Sequence, residues 1–117
     1  MASALPAITR LLHSPNGSPV EEVLDLVKNP AFRLEHLVSH GQPSPPGFWY
    51  DQPQEEWVVL LRGSARLAFA EGDSAIASLD LIAGESLTIP AHRKHRVETV
   101  SDDAVWIALH FTSENAA

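Results

Sequence analysis

The sequence predicts a single all-β domain, an antiparallel barrel or sandwich, on three observations. From residue 33 onward, short runs rich in Val, Ile, Leu and aromatic residues alternate with turn-forming clusters roughly every 8–12 residues. A chain of 117 residues suits one core and leaves little room for a second. Its 44% apolar and 20% charged residues exclude a disordered or fibrous polypeptide.

The elements follow in order. Leu5–Leu12 and Val20–Val27 carry helix-like apolar spacing on either side of the breaker Ser14–Pro19. Glu21 and Glu22 in the first turn and Lys28 in the last suit the helix dipole, and Asn29-Pro30 ends the segment. Residues 1–30 are thus expected to form a short helical N-terminal extension. The β domain covers residues 31–113, with strands expected at Arg33–Ser39, Gly47–Asp51, Trp57–Arg62, Ala65–Ala70, Ile76–Ile82, Ser86–Ile89, His95–Val100 and Ala104–Phe111. Turns fall at Gly41, Gly63-Ser64, Glu71-Gly72-Asp73, Ala83-Gly84-Glu85 and Ser101-Asp102-Asp103. The stretch Gln42–Pro46 is too proline-rich for a central strand, because proline donates nothing to the ladder. Residues 114–117 read as a frayed tail.

Composition narrows the function classes. Eight Lys+Arg against fifteen Asp+Glu give a net charge of −7, which argues against binding nucleic acid or an anionic membrane by bulk electrostatics. The absence of cysteine removes disulfides, Fe–S clusters, thiolate zinc sites and Cys nucleophiles. The first ten residues lack the basic and apolar regions of a signal peptide, and the longest apolar run, Trp57–Leu61, is far too short to span a bilayer. A cytoplasmic protein is expected.

Two segments concentrate metal-competent side chains within the β framework. In the second, Gly84 is followed after five residues by Pro90, then Ala91 and His92, and after two more residues by His95. In the first, Glu56 stands seven positions before Gly63. In this order the two segments resemble the paired motifs of the cupin superfamily, and the likeness covers about residues 41–111, with small single-domain bacterial cupins as the nearest type. The resemblance implies a jelly-roll β-barrel, one divalent metal ion and a homodimer. The family's first motif also carries His-x-His three or four residues before the Glu. Here Tyr50 and Gln52, or Trp49 and Asp51, occupy those places, so two of the four usual ligands are replaced.

The residues support their own chemical reading. Without thiolates, a divalent ion (Zn, Fe, Mn or Ni) would take imidazole nitrogen and carboxylate oxygen. Glu56 and His95 supply one of each, His92 could reach the same ion, and Asp51 or Gln52 would complete the site. Strand parity from Glu56 through Gln54 favours Gln52, although Pro53 can break that parity. Trp49, Tyr50 and His110 would line the cavity or orient the ligands; His110 shares a face with Trp106 and Ala108, so it reads equally well as a core histidine. Arg93, Lys94 and Arg96 form either a solvated turn or a clamp for an anion. The expected function is binding of a divalent ion and a small polar or carboxylated molecule inside the barrel, with oxygenase or isomerase chemistry. The missing His-x-His supports the alternative, a metal-free binding or sensing module. A homodimer would also cover edge strands such as Arg33–Ser39.

Overall fold

The computed structural model describes residues 5–12 and 21–112. Among these, eight strands form and no helix: β1 (Glu22–Lys28), β2 (Phe32–Val38), β3 (Glu55–Arg62), β4 (Ser64–Glu71), β5 (Ala75–Ile82), β6 (Ser86–Ile89), β7 (His95–Val100) and β8 (Val105–Phe111). They build a five-stranded sheet in the order β1-β2-β8-β3-β6 and a three-stranded sheet in the order β5-β4-β7, with antiparallel pairing throughout. This is the all-β jelly-roll architecture that the motifs imply.

Period-two alternation decides what faces inward. On β3 and β8, Val58, Leu60, Trp106 and Ala108 turn into the space between the sheets, where they meet Leu67 and Phe69 of β4, Leu81 of β5 and Ile89 of β6. Trp106 donates its indole N–H to Ser39 Oγ at 3.1 Å, which removes the one polar liability of that side chain.

The N-terminal helices expected from spacing are not formed. Val20–Val27 lies largely in β1, which pairs along β2 from Glu22↔Val38 to Lys28↔Arg33 with an irregularity between Asp25 and Val27. The open edge of β2 offers backbone partners that a lone helical turn cannot match, and Val23 and Val27 are β-branched. Residues 5–10 adopt no regular secondary structure, and residues 11–12 form a turn. Their last carbonyls are used by the body of the protein: Leu11 accepts from His36 Nε2, and Leu12 from Arg62 at 2.8 Å. The expected breaker Ser14–Pro19 and tail 114–117 lie outside the described residues.

Gly47–Asp51, expected as a strand, contributes a single bridge between Tyr50 and His95. Residues 44–50 instead run as a strap along the free edge of β7. Ser44 N–H donates to the Val97 carbonyl at 2.9 Å, and Val97 N–H returns a bond to Ser44 Oγ at 3.0 Å. Tyr50 and His95 exchange backbone bonds at 2.7 and 3.1 Å. Pro43, Pro45 and Pro46 keep the intervening chain from joining the ladder more fully. Between β3 and β4, Gly63 has φ +85°, and a Cβ there would run into Ser101 Oγ, so this turn needs glycine for conformation and for space.

Candidate functional site

One cavity of about 270 Å³ opens between the two sheets. Its apolar wall includes Val58, Leu67, Ile89, Val97 and Trp106; its polar groups are Glu21, Arg33, Glu35, Tyr50, Gln52, Glu56, His95 and His110. The volume lies just below the range of about 300–1,000 Å³ usual for small-molecule sites, so a small ligand is the natural occupant.

His95, at the start of β7, is 6% exposed. Its Nδ1 lies 2.9 Å from the Arg93 carbonyl, an oxygen that can only accept, so Nδ1 carries the proton. Nε2 is then the nitrogen left to exchange one, and it faces Glu56 Oε1 at 3.6 Å. Burial by itself would depress the His95 pKa, but Glu56 and the Arg93 carbonyl outweigh it and hold the imidazole above its ordinary value. The Tyr50 ring stacks on the imidazole with centroids 5.3 Å apart. Burial, with the charges of Glu21, Glu56 and Glu35 adding to it, pushes the Tyr50 phenol up, so it stays a hydrogen-bond donor at neutral pH.

A second imidazole–carboxylate pair stands on the five-stranded sheet. His110 on β8 is 4% exposed, and its Nε2 lies 2.8 Å from Glu35 Oε1 on β2. The other Glu35 oxygen meets Arg33 Nε at 3.2 Å. In the ladder His110 lies directly opposite both Arg33 and Glu56. Burial pushes the Glu21 carboxyl up despite a hydrogen bond from Ser39 Oγ at 3.4 Å.

The structure divides the residues expected from the sequence into two groups. Glu56, His95, Gln52, Tyr50 and His110 all line the cavity. Asp51 and His92 pair with each other outside its lining, Nδ1 to Oδ1 at 2.8 Å, on the exposed surface. His92 has φ +61°, and the Pro90 carbonyl accepts from Arg93 N–H at 3.2 Å. It therefore occupies the turn position at which a left-handed residue is required, one usually filled by glycine. Its N–H donates to the Gln52 carbonyl at 2.7 Å, which ties the turn to the strap. Trp49 also lies outside the cavity lining and packs near the Arg96 guanidinium, 6.0 Å from its ring centroid.

Both arginines of the basic turn are spent on internal contacts, and Lys94 is exposed. Arg93 pairs with Glu71 at 2.5 Å and lies over Phe69, and Arg96 donates to the Ser44 carbonyl at 2.9 Å. These partners favour a structural turn over an anion clamp.

The divalent ion that the motifs imply would need donors beside Glu56 and His95. Among the described residues, no three His, Asp or Glu side chains converge closely enough to hold one ion. Gln52 and Tyr50 stand where imidazoles would complete the set, and a neutral amide and a protonated phenol are weak replacements. The residues present do not fit a tightly held resident ion.

Sequence reasoning missed Arg33, Glu35 and Glu21. The signal for the first two was present, since Arg33, Glu35 and Leu37 share one parity on β2. Their partner on β8 is set by register, which the residue string does not contain.

No family model and no curated protein matches the chain. Among solved structures, a protein of Ralstonia eutropha JMP134, provisionally assigned as a mannose-6-phosphate isomerase, is 39% identical to it. That match covers 92% of this chain and 100% of the other, with a TM-score of 0.79. A cupin superfamily protein of Desulfitobacterium hafniense DCB-2 is 13% identical over 92% of this chain and 100% of its own, with a TM-score of 0.64. The oxalate decarboxylase of Bacillus subtilis, a protein with Mn(II) centres, is 14% identical over 74% of this chain and 22% of its own, with a TM-score of 0.58. At such low identity the last two share the fold alone.

Proposed function

The chain is a small member of the cupin superfamily, and from that premise we propose that its cavity binds one small hydroxylated molecule and exchanges a proton with it through His95. The observation that carries this reading is the His95 imidazole, buried, fixed in one tautomer by the Arg93 carbonyl, and turned toward Glu56 by its exchanging nitrogen. A base or acid held in this way is prepared for general catalysis before a ligand arrives. Three carboxylates against the single guanidinium of Arg33 make the cavity unfavourable for an anion. The Tyr50 phenol and the Gln52 amide suit hydroxyl and carbonyl oxygens instead. Proton transfer of this kind is isomerase-type chemistry, the reaction type though not the phosphorylated substrate of the assignment carried by the Ralstonia relative.

Saturation-transfer NMR against a panel of polyols and monosaccharides, mannose 6-phosphate included, tests the reading. At least one member is expected to bind, and His95→Asn or Glu56→Gln should weaken that binding roughly tenfold or more, the loss typical of a hydrogen bond to a charged group. Absence of binding by every member, or binding indifferent to both substitutions, would overturn it.

A second reading rests on Glu56 and His95 standing at the motif positions 3.6 Å apart, with Gln52 lining the same cavity. These three offer at most a weak, exchangeable site for a divalent ion (Zn, Fe, Mn or Ni), whose contribution would be Lewis-acid polarisation. Elemental analysis of protein purified without chelator separates the two readings. Stoichiometric metal that His95→Ala abolishes supports the ion; metal-free protein that binds a sugar supports proton exchange.

A further inference from the structure

We propose that Glu35 and His110 form the second half of a two-sided acid–base site, whose substrate is a small α-hydroxy aldehyde or ketone. This rests on the preceding reading of the cavity and names its substrate class. The two histidines come from opposite sheets, His95 from β7 of the three-stranded sheet and His110 from β8 of the five-stranded one, and both line the same cavity. A ligand seated there has one imidazole on each side.

The orientation of His110 is as well determined as that of His95. A carboxylate accepts and cannot donate, so the 2.8 Å contact to Glu35 places a proton on Nε2. Nδ1 is left as the nitrogen that takes or gives one. Arg33 Nε lies 3.2 Å from the far oxygen of Glu35, a charge contact without hydrogen-bond geometry. Carboxylate, imidazole and free nitrogen in line is the arrangement by which a buried acid fixes a catalytic histidine.

A structural role alone does not account for this group. The neighbours of like parity are Leu37 on β2 and Ala108 on β8, so an apolar wall was available at these positions. Even fully charged buried pairs are often replaceable by packed hydrophobic side chains without loss of stability, so stability alone does not call for a polar group here.

Two proton carriers on opposite sides match one class of reaction. His110 Nδ1 removes the proton from the carbon bearing the hydroxyl, and the C–H electron pair becomes the C=C bond of an enediol. At the same time the carbonyl oxygen takes a proton from His95 Nε2. Return of the first proton to the neighbouring carbon, with the other hydroxyl giving its proton back to His95, interconverts aldehyde and ketone. No oxidant, reductant or water is consumed. His110 is the catalytic base, His95 the acid, and Glu35 a positioning residue.

The experiment is solvent exchange. Full-length protein is incubated in ²H₂O with D-mannose, D-fructose, their 6-phosphates and dihydroxyacetone, and deuterium incorporation next to the carbonyl is followed by ¹H NMR. Wild type should exchange at least one of them, and His110→Asn should slow exchange by about 100-fold or more. Glu35→Gln keeps an acceptor for Nε2 but loses the charge. It should lower kcat at least tenfold while KM moves less than about threefold, and Glu35→Asp should recover part of the rate. Should His110→Asn fail to fold, the Glu35 pair decides the matter. A ligand that binds without exchanging overturns this inference and leaves the binding reading standing. Exchange lost in His95→Asn but unchanged in His110→Asn and Glu35→Gln also overturns it. Absence of binding overturns both.

Discussion

His95 links the site to the stability of the fold. Burial opposes its charge, yet Glu56 and the Arg93 carbonyl raise its pKa above the ordinary value of 6.5. A folded-state pKa above the unfolded one stabilises the protein fully below about pH 6.5, and that contribution is lost as pH rises through the folded value. Urea midpoints of wild type minus those of His95→Asn should therefore fall as pH rises above about 6.5; a difference that grows with pH would contradict the pairing. His92 makes the opposite case, because its backbone strain relieves itself on substitution. His92→Gly should leave stability unchanged or raise it by about 1 kcal/mol in chemical denaturation, with ligand binding intact. At this scale the motif spacing and strand parity single out Glu56, His95 and Gln52, and all three line the cavity. Asp51 and His92 lie apart from them. Their residue types suit a metal, but a left-handed turn aims them at each other on the surface.

At the scale of elements, seven of the eight expected strands correspond to β2 through β8. The two exceptions have different origins. Val20, Val23, Leu24 and Val27 satisfy a helical spacing, and nothing local reveals that the edge of β2 is open to pair with them. Gly47–Asp51 has the aromatic composition of a strand, but the prolines before it limit pairing to one bridge. Position in the sheets also sets local stability. β8 lies at the centre of the five-stranded sheet, with Val105, Trp106 and Ala108 buried, whereas β5 is an edge with Ile76, Leu79 and Ile82 exposed. Hydrogen-exchange mass spectrometry should find β8 and β3 the slowest segments and β1 and β5 the fastest; fast exchange in β8 would refute this layering.

At the scale of the whole molecule, the outer face of the five-stranded sheet is unusually apolar. One row across the ladder reads Leu24, His36, Ile107, Val59, and the next reads Val27, Leu34, Leu109, Trp57. The N-terminal segment reaches this region and carries Leu5 and Ile8 at 92% and 89% exposure. Five strands of about seven residues present a planar face of only about 400 Å², roughly half of what each partner buries in a stable dimer, so the arm is needed to complete the surface. Two copies related by a twofold axis would cover both features. Light scattering after size exclusion should give about twice 12.7 kDa, and Leu24→Asp should halve that mass without changing the circular dichroism. A monomeric wild type would refute the association. The strap beside β7 bears on a different hazard. By satisfying the backbone of Val97 and His95 it denies that edge to strands of other molecules, and by the same bonds it seats Tyr50 on the imidazole. Detachment of residues 44–50 would dismantle the site and expose an aggregation-competent edge in a single event, so selection against misassembly and selection for the site act on the same few hydrogen bonds.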